Sequence, residues 1–336
     1  MKILPFYLPQ QGCAHQCVYC NQPLIVGAAE ERHAWAARVN GFLSQSPPEE
    51  WEMAFYGGTF SALPREVMDR CFDAVQPALN RPAVRGVRIS TRPDCVEEDC
   101  LDYLKAKGVR TIELGVESMD DAVLRRSGRG HTASMVRDAC ARIHRYGFQL
   151  GIHLMCGLPG QTAASWEATV MDAIALQLDL VRIAPTLVLW GTPLERLYRR
   201  GRYHPLDLEE AIRQCAFACR EFHRRAVPIA RVGLALSDEQ GEGSEKVVAG
   251  PWHPSLRHEV ESVLAGETLA VALQREGEST FWIHPKDLSF VVGPRRRNLA
   301  RWQAMTNRTV QIVRDDSVPR HNFRSAGKDP RPLFYN

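Results

Sequence analysis

The sequence has little excess charge and no long hydrophobic run. Its 42 Lys and Arg residues nearly balance 39 Asp and Glu residues, which gives a formal net charge of +3. Any surface that binds nucleic acid must therefore be a local basic patch. The apolar run at the start of the sequence is short and is interrupted by Pro5, unlike a secretory signal or a membrane span. Ten cysteines without such a signal are typical of a reducing compartment, so we expect a cytoplasmic protein with no membrane association.

The length of 336 residues is enough for one large α/β domain and a smaller module. Up to about residue 236, short apolar runs alternate with helical patterns, which predicts βα units around a parallel sheet. We expect right-handed crossovers to curl six strands into a partial (β/α)6 TIM-like barrel, with the functional loops after the strand ends. The predicted strands are Lys2–Tyr7, Glu52–Tyr56, Val87–Thr91, Thr111–Val116, Gln149–Met155 and Leu180–Pro185, and the helices between them are Glu30–Leu43, Arg65–Leu79, Glu97–Ala106, Ala133–Tyr146 and Ser165–Leu176.

The composition changes after a further predicted helix, Leu208–Arg224, and an apolar run, Ile229–Leu236. The segment Ser237–Ser244 is polar, acidic and rich in glycine, which predicts a linker or a surface loop. We therefore divide the chain into a barrel at residues 1–236 and a smaller α+β region at residues 237–336.

Three cysteines in one short loop, Cys13, Cys17 and Cys20, carry the strongest chemical signal. A four-iron cluster normally takes four protein thiolates, so three at C-x3-C-x2-C spacing leave one iron open to another ligand. A zinc knuckle and three ordinary thiols are the alternatives. Zinc usually takes a fourth Cys or His at short spacing, and His15 is badly placed for that role in a tight loop. The spacing favours an iron–sulfur cluster.

Motifs with binding potential follow the later strands. Adjacent glycines at a strand end let the backbone approach a ligand closely. A carboxylate there can accept hydrogen bonds from both hydroxyls of a ribose, and arginine is a planar, permanently charged donor. A tight βα turn or a solvated arginine would explain each motif taken singly. The candidates are Gly57, Gly58 and Thr59 after the second strand, Arg92 after the third, Glu117 after the fourth, Arg129 in the next loop, and Gly157, Leu158 and Pro159 after the fifth.

Other residues of the same strands and helices are second candidates. Alternation along the fifth strand puts His153 and Met155 on one face and Cys156 on the other. Cys215 and Cys219 are four residues apart and share one helix face, which we expect to pack in the core. The sequence does not indicate a catalytic side chain.

Together, these motifs resemble the radical S-adenosylmethionine (SAM) superfamily. The resemblance rests on the cysteine loop followed by Tyr-Gly-Gly-Thr-Phe, Ser-Thr-Arg-Pro-Asp, Glu-Leu-Gly-Val-Glu-Ser, Arg-Gly-His-Thr and Gly-Leu-Pro-Gly, and it covers roughly the first two thirds of the chain. Within the superfamily it points to the branch of the Elongator catalytic subunit and, more distantly, to the oxygen-independent coproporphyrinogen oxidases. The Elongator subunit also has an acetyltransferase domain, whereas this sequence has no evident acetyl-CoA loop, so the resemblance does not extend to the overall reaction.

The resemblance implies two cofactors, a [4Fe–4S] cluster and SAM, and a reductase or flavodoxin-type electron donor. The open iron of the cluster would be chelated by the methionine end of SAM. The residue roles it implies are Cys13, Cys17 and Cys20 for the cluster, Gly57, Gly58 and Thr59 for the methionine amino group, Arg92 and Arg129 for the methionine carboxylate, Glu117 for the ribose, and Gly157, Leu158 and Pro159 for the adenine side.

The C-terminal region contains a pattern that is similar to the centre of a KH domain. Residues 281–313 read as helix, glycine turn, helix and strand, and the G-x-x-G turn of a KH domain clamps a single-stranded backbone. Here Arg296 replaces the second glycine, while Arg295, Arg296 and Arg297 could hold phosphates by charge. An ordinary small domain with a basic helix start is the alternative.

The sequence as a whole predicts a radical SAM enzyme that cleaves SAM reductively to a 5′-deoxyadenosyl radical. We predict RNA, specifically a tRNA base, as the substrate. Two features favour it: the basic glycine turn and the resemblance of the barrel to that of the Elongator subunit. One alternative is a porphyrin-type enzyme that acts on a small molecule. Another is a protein without catalysis that carries an iron–sulfur cluster or haem, or binds RNA.

Overall fold

A parallel β-sheet with flanking helices forms the main body of the protein in a computed structural model that describes residues 2–26, 32–44, 49–234 and 243–334. The strands are β1 (Lys2–Tyr7), β2 (Trp51–Tyr56), β3 (Val84–Thr91), β4 (Val109–Glu117), β5 (Gln149–Cys156), β6 (Leu180–Pro185), β7 (Val188–Leu189), β8 (Ile229–Val232), β9 (Val247–Ala249), β10 (Thr280–Ile283), β11 (Gln311–Arg314), β12 (Asn322–Ser325) and β13 (Arg331–Pro332).

Five of the described helices begin at a residue whose side chain caps the first turn. Thr162 and Ser165 form a reciprocal capping box at the start of α7, which satisfies backbone donors that have no partner inside the helix. The helices are α1 (Gln22–Val26), α2 (Arg32–Leu43), α3 (Arg65–Leu79), α4 (Glu98–Ala106), α5 (Asp121–Arg126), α6 (Ala133–Arg145), α7 (Ala163–Ile174), α8 (Pro193–Arg199), α9 (Leu208–His223), α10 (Leu256–Glu276), α11 (Leu288–Val292) and α12 (Arg297–Thr306). None of them, over the ranges described, has the length and apolar character that crossing a bilayer requires.

Seven strands pair in parallel in the order β1-β2-β3-β4-β5-β6-β8. Neighbours in the sheet are neighbours in the chain, so the crossovers curl the sheet into a half-barrel with β1 and β8 at its edges. The predicted partial TIM-like barrel is confirmed, and β8 adds a strand to the six that were expected. β8 lies in the predicted apolar run Ile229–Leu236, whose last two residues lie outside the described ranges. The predicted linker and the boundary at 236/237 also fall there, apart from residues 243–244.

The outer face of the sheet packs on the helices and forms the core. Phe55 of β2 stacks on Phe60 with ring centroids 5.0 Å apart. Cys156 is buried on this face, and its Sγ lies 3.8 Å from Sγ of Cys215 on α9, so the prediction that Cys215 packs in the core is confirmed. His153 and Met155 point to the opposite, inner face, as the alternation predicted.

The C-terminal part contains a four-stranded sheet in the order β11-β10-β12-β13. Phe281 of β10 and Trp302 of α12 are fully buried beside α10, and the indole of Trp302 donates to the carbonyl of Gly266 on α10 at 2.9 Å. From Leu288 onward, the order α11, glycine turn, α12 and β11 matches the predicted order, but residues 281–283, at the start of the predicted pattern, form strand β10 and not a helix. β12 and β13 extend this sheet with residues from the end of the chain.

Candidate cluster and SAM site

The loop after β1, which carries the three cysteines, lies over the carboxyl ends of the strands. Three backbone hydrogen bonds join it to three other loops. Thr59 donates to the carbonyl of Gln11 at 2.8 Å, Val18 donates to the carbonyl of Ser127 at 3.0 Å, and Leu194 donates to the carbonyl of Val18 at 2.8 Å. The position of the loop is therefore set by segments that are far apart in the sequence.

The three cysteines line one cavity of about 1010 Å³. Cys17 is buried, Cys20 is half-buried and Cys13 is exposed. Burial raises the pKa of Cys20 to about 12, and the neighbouring thiols of Cys17 and Cys13 add to this effect. Three soft sulfur donors that oppose each other's ionisation fit a cationic iron–sulfur centre, because the metal offsets the charge of the thiolates. In the described ranges, no three His, Cys, Asp or Glu side chains are grouped closely enough to hold a single metal ion.

The predicted glycine turn lies directly against the cysteine loop. Gly57 and Gly58 have φ values of +83° and +69°, which favour glycine. A Cβ on Gly58 would lie 2.0 Å from the carbonyl oxygen of Gln11, so a side chain there would push the cysteine loop away. The buried Thr59 places its hydroxyl 3.4 Å from Sγ of Cys13. The structure thus brings the first two motifs together.

Glu117 and Arg129 meet in the same cavity. The carboxylate of Glu117 lies 3.9 Å from the guanidinium of Arg129 and 2.8 Å from Nδ1 of His153. Burial opposes ionisation of Glu117, but His153 and Arg129 outweigh it, so the pKa of this carboxyl lies below its ordinary value. Arg129 also donates to Sγ of Cys17 at 3.0 Å and to the carbonyl of Gly115. This pair therefore connects the end of β4 to the cysteine loop.

Backbone strain coincides with this carboxylate. Glu117 has a φ of +66°, a left-handed conformation that is costly for a residue with a side chain. The same residue disrupts the register between β4 and β5, which shifts between Gly115 and Glu117. The shift ends the strand and brings the Glu117 carboxylate to the cavity wall, which residues of the six other strands of the sheet also line.

Arg92 lines the cavity and uses two of its five N–H donors within the protein. Its guanidinium binds Asp94 through two hydrogen bonds of 2.9 and 2.8 Å. Its Nη1 is buried and has no hydrogen-bond partner among the described residues. The two N–H donors of Nη1 are thus left for a ligand in the cavity.

The turn Gly157, Leu158 and Pro159 is not among the described residues that line the cavity. Leu158 packs with Val123 and Met155, and the carbonyl of Gly157 accepts a hydrogen bond from the hydroxyl of Tyr203 at 2.7 Å. Met155 separates this turn from the cavity because it contacts Leu158 and also lines the cavity wall. The adenine role of the turn stays a prediction.

A buried charge network below the site was missed by the sequence reasoning. Glu113 accepts hydrogen bonds from Arg88 at 2.6 Å, from Arg182 at 3.1 Å and from the hydroxyl of Tyr56 at 3.1 Å. Arg88 also pairs with Glu52, and both side chains are almost fully buried. A signal was available, because charged residues in the middle of apolar parallel strands need partners inside the barrel.

Comparison with known proteins agrees with this geometry. Residues 7–173 match the Radical SAM superfamily, and residues 178–265 match the Radical_SAM C-terminal domain. Over 51% of its length the chain is 28% identical to a tRNA uridine(34) acetyltransferase of Methanocaldococcus infernus, covering 36% of that protein. Over 66% of its length it is 26% identical to the haem chaperone HemW of Bacillus subtilis, covering 61% of that protein. The structure of Elp3 from Methanocaldococcus infernus superimposes with a TM-score of 0.59 at 21% identity, covering 82% of this chain and 63% of that one.

The chain spans only part of the curated relatives it matches, for example 36% of the acetyltransferase and 61% of HemW. The likeness to Elp3, at 21% identity, concerns the fold. The two family matches cover the half-barrel and continue into α10. The cysteine loop, the glycine turn and the pair of Glu117 and Arg129 all lie within the first of them. The chain belongs to the radical SAM superfamily of enzymes.

Proposed function

We propose that the chain binds a [4Fe–4S] cluster through Cys13, Cys17 and Cys20 and cleaves SAM reductively. The observation that carries this proposal is that the three thiols, the glycine turn and the Glu117 carboxylate line one cavity. When bound, the cluster supplies the electron that splits SAM into methionine and a 5′-deoxyadenosyl radical. The chain itself binds and orients SAM and excludes water from the cavity.

The residues around the cavity suit the parts of SAM. Glu117 would accept hydrogen bonds from the ribose hydroxyls, and His153 keeps its carboxylate charged and oriented. Arg129 and the free Nη1 of Arg92 would hold the methionine carboxylate. Gly57, Gly58 and Thr59 would offer backbone groups and a hydroxyl to the amino group.

Anaerobic reconstitution tests this proposal. The wild-type protein should bind about four iron atoms and form 5′-deoxyadenosine from SAM when dithionite is added. Cys17→Ala should lose both properties. Cys100→Ala is the control, because Cys100 is half-buried on α4 and outside the cavity. Zinc in place of iron in oxygen-free material, or no 5′-deoxyadenosine from the wild type, would refute the proposal.

We further propose that the substrate is RNA, specifically a tRNA base, bound with the help of the basic turn before α12. Arg295 and Arg296 are exposed and have φ values of +50° and +60°. A left-handed conformation at Arg296 is the one that glycine would adopt in a G-x-x-G turn. The likeness to a tRNA uridine(34) acetyltransferase supports the same substrate class.

Binding of unmodified tRNA at several salt concentrations tests the RNA proposal. The double variant Arg295→Gln/Arg296→Gln should bind more weakly, and its salt slope should fall by about 0.7 to 0.9 for each phosphate that an arginine no longer neutralises. Arg301→Gln is the matched control, since Arg301 is an exposed arginine of α12 beyond the turn. Equal affinities for both variants and the wild type would exclude this surface from RNA binding.

A porphyrin or haem ligand is the second candidate, because HemW is among the relatives. It predicts haem or porphyrin binding in the cavity and no effect of the Arg295→Gln/Arg296→Gln double variant. A binding protein without turnover would give no 5′-deoxyadenosine. Under either candidate we propose a reductase or flavodoxin-type electron donor and a cytoplasmic location, which suits the free thiols.

A further inference from the structure

The inner face of the half-barrel carries a second polar level below Glu117. Backbone register places Gly115, His153, Arg182 and Arg231 in one row across β4, β5, β6 and β8. Glu117 lies just beyond this row, where it pairs with Leu154, and its carboxylate lies 2.8 Å from Nδ1 of His153 in the row. Arg182 and Arg231 therefore form part of the cavity wall in the same row as His153, which contacts the proposed ribose-binding carboxylate of Glu117.

Two tyrosines from the opposite edge of the sheet face these arginines. The guanidinium of Arg182 lies 5.3 Å from the ring centroid of Tyr56, and the rings of Tyr7 and Tyr56 are 6.5 Å apart. All four side chains line the cavity. We call Tyr7, Tyr56, Arg182 and Arg231 the basic floor.

The charges around the basic floor do not balance. Three arginines, Arg88, Arg182 and Arg231, meet two carboxylates, Glu52 and Glu113. Arg88 takes Glu52 and shares Glu113 with Arg182.

Arg231 is the arginine that has no carboxylate partner among the described residues. Within the part of the chain that the structure describes, it has no hydrogen bond or ion pair, and its register partner is another cation, Arg182. Arg231 is exposed, but partial burial of its guanidinium and the charge of Arg182 both lower its pKa. Arg182 shares its one carboxylate, Glu113, with Arg88, so an anion that binds between Arg182 and Arg231 would be stabilised by both of their guanidinium groups.

We infer that the basic floor binds an anionic group of the substrate, a carboxylate or a phosphate, through Arg231 with Arg182 beside it. The hydroxyl of Tyr7 lines the same region and would donate to the same anion. This inference rests on the proposed function, because it assigns the anion to the substrate that shares the cavity with SAM. The anion then fixes one end of the substrate at the floor and leaves the rest of it to extend toward the ribose.

Arginine-selective labelling of the reconstituted protein with phenylglyoxal tests the basic floor. Labelling of Arg231 is followed by mass spectrometry in chloride, in inorganic phosphate and in acetate at equal ionic strength. With a Kd of about 1 mM, anion at about 10 mM should slow labelling of Arg231 about tenfold. Arg70 is the internal control, because it is exposed on α3 outside the cavity and should label equally in all three buffers.

Calorimetry of anion binding provides the second measurement. The heat of phosphate or acetate binding should disappear in Arg231→Met and persist in Arg70→Met. Protection by phosphate alone supports a phosphate-bearing substrate, and protection by acetate supports a carboxylate. Equal labelling of Arg231 in all three buffers would overturn the inference.

Formation of 5′-deoxyadenosine by the same wild-type preparation separates the two proposals. If the product forms but Arg231 is never protected, only the basic floor is refuted. If Arg231 is protected but no product forms, the anion site stands and the proposed SAM cleavage fails.

Discussion

The carboxylate of Glu113 should be the most important single charge for the stability of the half-barrel. It is buried, and it receives donors from Arg88, Arg182 and Tyr56. Glu113→Gln keeps the size of the side chain and one acceptor oxygen but removes the charge. Arg182 then loses its carboxylate partner, and Arg88 keeps only Glu52.

The expected loss is about 3 kcal/mol in the free energy of unfolding, the lower end of the range for breaking a buried ion pair, because glutamine still accepts a hydrogen bond. Glu98→Gln is the matched control. Glu98 pairs with Arg145 at 3.3 Å, and their side chains are 57% and 66% exposed. An exposed pair of this kind contributes less than about 1 kcal/mol.

Urea unfolding followed by circular dichroism measures both variants. Burial opposes ionisation of Glu113, but Arg182 and Arg88 hold its pKa below the ordinary value. A carboxyl with a lowered pKa stabilises the fold fully above its unfolded pKa of about 4.3, and this stability is lost as the pH falls through the folded value. The difference between wild type and Glu113→Gln should therefore be constant from about pH 6 to 8 and shrink below about pH 4. A loss no larger than that of Glu98→Gln would show that the two arginines are compensated elsewhere.

Three further predictions concern the site and the basic turn. Gly58→Ala should abolish iron binding, because the new Cβ would collide with the carbonyl of Gln11. Gly108→Ala is the control, because Gly108 also has a positive φ but no atom lies within 4 Å of its Cβ position. This control should lose only about 1 kcal/mol in the free energy of unfolding by urea and should still bind iron. Glu117→Gln should weaken SAM binding about tenfold in equilibrium dialysis, because a charged acceptor is lost; an unchanged Kd would remove Glu117 from the ribose site. Arg296→Gly should stabilise the protein by about 1 kcal/mol in urea unfolding, by relieving its left-handed backbone, and at the same time weaken tRNA binding; a stability loss would contradict the strain argument.

Local sequence patterns were sufficient to predict the positions of most strands of the half-barrel. The bounds of β1 and β6 were predicted as they occur, because apolar residues there are bounded by clear turn signals. β3 begins three residues before the predicted start, at Val84, because Arg85 and Gly86 interrupt the apolar run while the backbone still pairs with β2. For β8 the sequence predicts only an apolar run, because the strand is short and contains Arg231, which lines the cavity.

Contacts across the barrel could not be predicted in the same way. The motifs around Cys17, Gly58 and Glu117 were found because each is local and each follows a strand. The meeting of Arg182 with Tyr56 depends on the curvature of the sheet, which brings β6 opposite β2. No spacing within either strand encodes that distance.

The hydrogen bonds of Val18 have a consequence for biosynthesis. Its N–H donates to the carbonyl of Ser127, and its carbonyl accepts from the N–H of Leu194. The positions of the cysteines on either side of Val18 are therefore fixed only after both of these segments have folded. Because chains emerge from the ribosome in order, a nascent chain displays all three thiols long before it can arrange them. We therefore expect loading of the proposed cluster to be a late event, at a half-barrel that is almost complete.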